Sequence, residues 1–292
     1  MSYSIAFLGP HGTFTEEALH SLLAYEQTNK GETSIIAAPS IPDTLEYSLQ
    51  DKCDYAFVPI ENSIEGSVNM TLDWFTLHPE LTIQAELHLP IQQVVMCHPA
   101  LQDCSPNDIN TIYSHPHAVA QCQQFLKDRY PQAKWEYMKS TAEAAEWVSR
   151  HSDQRAVAVG NRWAASMNDL KILHEDIQDY GNNYTRFVLA GKEKWVTAEE
   201  HQASYKSSLL ITLPEDYPGA LYQVLAAFSW RKLNLTRIES RPTKKGLGSY
   251  YFFLDVDHAM DEVLLPGALA EIDALGCDVH FLGSYPSFIK KI

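Results

Sequence analysis

At 292 residues the chain is long for one hydrophobic core and suited to two or three, and its 45% hydrophobic and 20% charged residues are those of a soluble globular protein. A formal charge of −15 excludes nucleic acid as a natural partner, because that affinity comes from Lys and Arg neutralising phosphates. The same charge repels a small anion, so any anion site must be built locally from an Arg, backbone N–H groups or helix N-termini.

Apolar runs fall short of a membrane span and the opening residues are too short and uncharged for a signal peptide, so the expected compartment is the cytoplasm. Cys53, Cys97, Cys104, Cys122 and Cys277 form no C-x-x-C pair, and the twelve histidines show no ligand spacing. Neither a disulfide framework nor a metal site is expected.

Residues 3–9 read as a buried strand that ends in Gly9-Pro10-His11-Gly12-Thr13-Phe14-Thr15, with Thr13 or Thr15 capping a helix whose first turn holds Glu16 and Glu17. Such a turn is either a plain strand-to-helix link or a cradle of N–H groups for a carboxylate. It lacks the Lys-Ser/Thr of a P-loop and the spacing of a dinucleotide turn. A strand near 33–37, a helix near 40–49 and a strand over 54–60 complete a βαβαβ-like unit. The third strand runs out into Glu61-Asn62-Ser63-Ile64-Glu65-Gly66-Ser67, at the strand end where open α/β sheets bind ligands. Asn62 and Ser63 are hydrogen-bonding groups there, while Glu61 and Glu65 are proton carriers or helix N-terminal charges.

From about 78 the pattern restarts, with strands at 81–88, 91–97 and 110–113 before Ser114-His115-Pro116-His117-Ala118. Ser114 is expected to cap a helix running to about 129, on which Gln121 lies. His115 and His117 titrate near neutral pH or merely cap the helix. A strand near 133–137, a helix from Ser140, a strand over 155–159 and a helix from Gly160-Asn161 fill a second unit. The chain then reaches Asp179-Tyr180-Gly181-Asn182-Asn183-Tyr184-Thr185-Arg186-Phe187, turn chemistry feeding an apolar strand. Alternation sends Thr185 and Phe187 to one face and Arg186 to the other. An amide (Asn183), a hydroxyl (Thr185) and a guanidinium (Arg186) so close together suit an anionic substrate with a departing oxygen.

The polar stretch 192–205 reads as a linker, and a cut in it is expected to leave residues 1–191 active. Beyond it come a strand over 207–213, a helix from Pro218-Gly219-Ala220-Leu221 to about Trp230, strands over 235–240 and 250–256, a helix over 262–275 and a strand over 278–285. That order, βαββαβ, is the ferredoxin-like plan.

These motifs together resemble the prephenate dehydratase family with a C-terminal ACT regulatory domain, over essentially the whole chain. The resemblance rests on the turn 9–15, Val58-Pro59-Ile60-Glu61-Asn62-Ser63 with Gly66-Ser67, Ser114-His115-Pro116-His117-Ala118 with Gln121, Asn183-Tyr184-Thr185-Arg186-Phe187, Pro218-Gly219-Ala220-Leu221 and Asn234-Leu235-Thr236-Arg237-Ile238-Glu239-Ser240-Arg241-Pro242. His117 stands where the family usually has Gln. No helical chorismate mutase region precedes the first strand, which the resemblance reads as the monofunctional form.

The resemblance implies an α/β catalytic domain over 1–191, two-lobed like a type II periplasmic binding protein. One lobe would take 1–77 plus 177–190 and the other 78–176, with the active site between them. A linker over 192–205 and a ferredoxin-like ACT domain over 206–292 would follow. It implies cofactor-free dehydration and decarboxylation of prephenate to phenylpyruvate, with Thr185 at the leaving oxygen and Arg186 as carboxylate clamp or loop support. Asn183 and Glu61 complete the catalytic set, and Thr13, Asn62, Ser63, Ser114, Gln121 and Phe187 hold substrate. Phenylalanine would bind at Gly219, Ala220, Leu221, Asn234, Leu235, Glu239, Ser240 and Arg241 in a homodimer or dimer of dimers, and inhibit. Arogenate is the alternative substrate, and a non-catalytic amino-acid sensor the distant alternative.

Overall fold

The computed structural model describes residues 3–25, 33–196, 204–243 and 249–290. The middle of the expected linker, 197–203, lies outside them. The first lobe opens with β1 (Ser4–Leu8), α1 (Phe14–Leu23), β2 (Ser34–Ala38), α2 (Ile41–Leu49) and β3 (Tyr55–Asn62). It continues through β4 (Gly66–Ser67), α3 (Asn69–Leu77) and β5 (Thr82–Pro90). The second lobe comprises β6 (Val94–Cys97), β7 (Thr111–Ser114), α4 (Pro116–Gln121), α5 (Gln123–Arg129) and β8 (Lys134–Tyr137). It ends with α6 (Thr141–Arg150), β9 (Ala156–Gly160), α7 (Arg162–Met167) and β10 (Lys171–His174). Then β11 (Tyr184–Gly191) returns to the first lobe, and the C-terminal unit is β12 (Ser204–Thr212), α8 (Ala220–Ser229), β13 (Leu235–Pro242), β14 (Tyr250–Val256), α9 (Leu264–Ala274) and β15 (Asp278–Ile289).

The second lobe has its own sheet, in the order β10-β6-β9-β7-β8. Everything else belongs to one continuous sheet, β13-β14-β12-β15-β5-β11-β3-β1-β2, with β4 on β3. The lobe boundary expected at 78 is therefore corrected: β5 lies in the first-lobe sheet, antiparallel to β11 from Tyr184↔Pro90 to Gly191↔Thr82. Its burial on both faces demands two packed layers, which only the central position provides. Two connections, before β6 and after β10, join the lobes side by side through Ile91 N–H to Asn183 O (2.8 Å) and Ile177 N–H to Gln93 O (3.1 Å).

The C-terminal unit has the ferredoxin-like order, yet it is no pendant module. β15 pairs parallel with β5 through Ser287↔Glu86, Phe288↔Leu87 and Ile289↔His88. Gly283, at φ 137°, permits the approach, since a Cβ there would lie 2.2 Å from the Ile83 carbonyl oxygen. Trp195 and Phe288 pack in the core with Phe7, Phe57, Leu87 and Phe187. Leu210, Phe253, Leu282 and Tyr285 pack with Val58, Leu72 and Val188. Residues 1–191 are not a self-contained body, because apolar faces of β5 and β11 are covered from beyond the expected linker.

Candidate active site

The strand alternation of β11 holds: Thr185 and Phe187 line a cleft of about 1080 Å³ between the lobes, and Arg186 is absent from its wall. Thr185 sits opposite Asn62 in the β11–β3 register. The Asn62 side-chain oxygen accepts the backbone N–H groups of Ile64 (2.9 Å) and Glu65 (3.0 Å), an Asx turn at the end of β3. That leaves its amide nitrogen to donate to Asn183 Oδ1 (2.9 Å) and Thr185 Oγ1 (2.8 Å). The Thr185 oxygen is thereby an acceptor of one bond and its own O–H is left to donate. An O–H whose oxygen already accepts a hydrogen bond is a stronger donor.

Asn183 is buried and acts on Asn62 rather than on the cleft. Ser63 clasps the loop after residue 179 to the tip of β3: its Oγ accepts Tyr184 N–H (2.9 Å) and donates to Asn182 O (3.0 Å). Neither lines the cavity. Gln121 does, from the second lobe, with Nε2 3.5 Å from Glu65 Oε1 and Oε1 accepting from Gln93 Nε2 (3.3 Å). His117 Nδ1 meets the same Glu65 oxygen at 2.7 Å, an ion pair or hydrogen bond across the cleft mouth. Burial, then the neighbouring His117, pushes the His115 imidazole below its usual range, against the opposing pull of Glu65. Thr13 caps α1 and lines the floor, while Phe187 stacks on Phe57 with ring centres 5.6 Å apart.

Several expectations are corrected. Ser114 is fully buried and donates to Val159 O (2.8 Å), and it does not cap the helix. Pro116 at the first helical position makes His115 the cap, through Nδ1 and His117 N–H at 3.3 Å, and the helix breaks at Cys122 instead of running to 129. Arg186 is no carboxylate clamp, and Glu61 is no proton carrier in the cleft. Both lie on the far face of their strands, paired with each other at 3.1 Å. Arg241, expected at the effector site, lies on β13 and reaches the first lobe, its Nε and Nη2 at 3.0 and 2.8 Å from Asp73 Oδ1. Of the other expected effector residues, Gly219 takes φ 95° at the N-terminus of α8, a conformation that glycine accepts, and Ala220 is buried behind it. Leu221 and Leu235 pack against the core of the unit, while Asn234 and Ser240 are exposed.

Two features escape sequence reasoning. Lys139 is the one lysine or arginine on the cleft wall among the described residues, just ahead of the Ser140 cap of α6. Glu16, read only as a first-turn charge, is buried and accepts from His11 Nδ1 (2.6 Å), Gly12 N–H (2.6 Å) and Trp163 Nε1 (3.0 Å). Burial pushes its carboxyl upward, but the bonds from Gly12, His11 and Trp163 outweigh this and hold it below the usual range. Trp163 belongs to α7, so Glu16 ties the lobes together at the base of the cleft. Among the described residues no cluster of three or more His, Cys, Asp or Glu is placed to hold a metal. No helix there is long and apolar enough to cross a membrane.

A cleft between two α/β lobes, with a primed hydroxyl and an attached ferredoxin-like unit, defines a type II periplasmic-binding-protein-like enzyme domain followed by an ACT domain. The prephenate dehydratase profile matches residues 5–195 and the ACT domain profile residues 207–275, and the chain belongs to the prephenate dehydratase family. It is 42% identical to the prephenate dehydratase of Bacillus subtilis, covering 97% of this chain and 99% of that one. It is 38% identical to that of Methanocaldococcus jannaschii, covering 99% and 100%. A crystal structure of prephenate dehydratase from Arthrobacter aurescens in complex with L-Phe matches with a TM-score of 0.83 and 34% identity, over 97% of this chain and 89% of that one.

Proposed function

We infer that the chain is a carbon–oxygen lyase that converts prephenate to phenylpyruvate, carbon dioxide and water in phenylalanine biosynthesis, held back by phenylalanine. The ring hydroxyl leaves with a proton, the ring carboxylate departs as carbon dioxide, and its bonding electrons complete the aromatic ring. The protein must hold a dianion and protonate one oxygen, and a positioned general acid contributes roughly 10²–10⁴-fold. The observation that carries the reading is the Thr185 hydroxyl, its oxygen accepting from Asn62 and its proton left for the cleft. Thr185 donates to the departing oxygen, and Asn62 and Asn183 set its orientation.

With Arg186 turned away, the counter-charge for two carboxylates comes from Lys139 and from the N–H groups at the starts of α1 and α6. The titratable groups facing the cleft include Glu65, His11 and His117, and exclude Glu61. The test is phenylpyruvate absorbance after mixing with prephenate, beside the same assay on arogenate. Absence of phenylpyruvate sinks the reading, and faster turnover of arogenate changes the substrate.

Phenylalanine, the effector, is assigned to the Gly219 turn with Leu221, Asn234, Leu235, Glu239 and Ser240 of the C-terminal unit. Its chemistry fits open N–H groups at the start of α8 for the carboxylate and Asn234 for the ammonium. We further assign the chain to a homodimer or dimer of dimers in the cytoplasm. β13 is the edge strand that the C-terminal unit contributes to the long sheet, and Trp230, Tyr222 and Ile238 stand exposed on the same unit. The domain division stays near 191–206, with residues 82–90 moved to the first lobe.

A further inference from the structure

The densest cluster of buried charge lies behind the cleft, around Arg186. Its Nε is 2.6 Å from Glu86 Oε2 on β5, its Nη2 is 2.6 Å from Asp255 Oδ2 on β14, and its Nη1 is 3.1 Å from Glu61 on β3. The exposures of the Arg186, Glu86 and Asp255 side chains are 6%, 0% and 5%, so solvent does not screen them. Glu86 also meets Lys206 Nζ at 2.7 Å, and Asp255 accepts the Ser208 hydroxyl, which is 2.6 Å from Tyr285 Oη. Asp255, Lys206, Ser208 and Tyr285 all belong to the C-terminal unit. Buried pairs of this kind give up most of their attraction to desolvation, and their best-attested contribution is fixing one geometry.

That geometry bears on the cleft. Arg186 stands between Thr185 and Phe187, and the β11–β3 register shifts between Arg186 and Phe187. The ladder to β5 runs unbroken from Tyr184 to Leu189, so the irregularity loosens only the β3 side of the strand, where the grip on the Arg186 side chain supplements the ladder. Tethering the guanidinium from three strands at once fixes the twist of the backbone that carries the Thr185 hydroxyl. Two tethers come from the catalytic domain and the third from the C-terminal unit.

We propose that Asp255 is a positioning residue for Thr185, acting through Arg186, so that the catalytic strand is complete only with the C-terminal unit docked against it. The inference rests on Thr185 as the proton-donating group. It also gives the C-terminal unit a direct mechanical hold on the reacting hydroxyl, because any movement of β14 relative to β11 pulls on the guanidinium.

The test is Asp255→Asn in the full chain, which keeps shape and removes the charge. Expected are a fall in kcat for prephenate of about 10–100-fold, a KM within about twofold of wild type, and loss of amide hydrogen-exchange protection confined to residues 184–187 and the facing residues 61–62. Should that variant fail to fold, Ser208→Ala, which removes the hydroxyl shared by Asp255 and Tyr285, is expected to move the same readouts in the same direction by less. A folded variant with wild-type kcat overturns the proposal, as does protection lost evenly over the whole chain. If the wild-type chain itself does not turn over prephenate, the substrate reading falls. The exchange pattern then decides on its own: local loss at 184–187 supports Asp255 as the tether, and unchanged protection there removes it.

Discussion

Thr185 and Arg186 are adjacent in the chain and occupy opposite kinds of environment. On the cleft side of β11, neutral side chains are aligned by a relay of ordinary hydrogen bonds: backbone N–H groups fix Asn62, Asn62 fixes Thr185, and the last O–H is left unused. On the far side, full charges are buried around one guanidinium. Burial favours the neutral Glu86 carboxyl, yet Arg186, His88 and Lys206 outweigh it and hold the group well below the usual range. The contrast separates two tasks. A reacting group must remain uncommitted, so its neighbours are weak and directional. A scaffold must not move, so its groups are charged, buried and paired from several strands at once.

The sharpest way to break this comparison is to exchange the consequences. Arg186→Met leaves Asp255 and Glu86 short of their counter-charge, and the expected loss is about 3–5 kcal/mol of stability, read as a fall in Tm. Thr185→Val is expected to leave Tm unchanged and raise the barrier by about 2–4 kcal/mol, roughly 10²–10³ in kcat. A large Tm loss in the valine variant, or a stable methionine variant, would show that the two faces do not divide the work in this way.

Glu16 sharpens the comparison because it is a saturated carboxylate serving the cleft. Glu16→Gln removes charge-assisted bonds to His11, Gly12 and Trp163 and is expected to cost about 1.5–3 kcal/mol. Since the folded carboxyl is held below its unfolded value, its contribution is present above about pH 4.3 and is lost as pH falls through the folded pKa. Acid titration of stability should therefore be flatter in the glutamine variant; an unchanged acid limb would remove Glu16 from the latch. The smallest effect is expected from Ser63→Ala, about 0.5–1.5 kcal/mol for a clasp of two neutral bonds. Here kcat should drop only modestly, and a loss matching that of Thr185→Val would make Ser63 a reacting group.

What the sequence by itself determined was local and periodic. The turn residues before β11, the alternation that divides Thr185 from Arg186, the caps at Thr13 and Ser140 and the βαββαβ order were all legible, because each follows from backbone chemistry within a few residues. The family motifs placed Asn62, Gln121 and Thr185 at one site. Only the tertiary structure decided what each face of β11 meets. The partners of Arg186 lie 69, 100 and 125 positions away by the numbering, on β14, β5 and β3, and no local pattern announces them. Ser114 and Glu61 carried the same ambiguity, since a polar side chain at a strand end looks alike in sequence whether it faces a ligand or a buried partner. The linker misled for a related reason: it is polar because it runs between units, while the contact that joins those units is made by β15, more than 80 residues later, against β5.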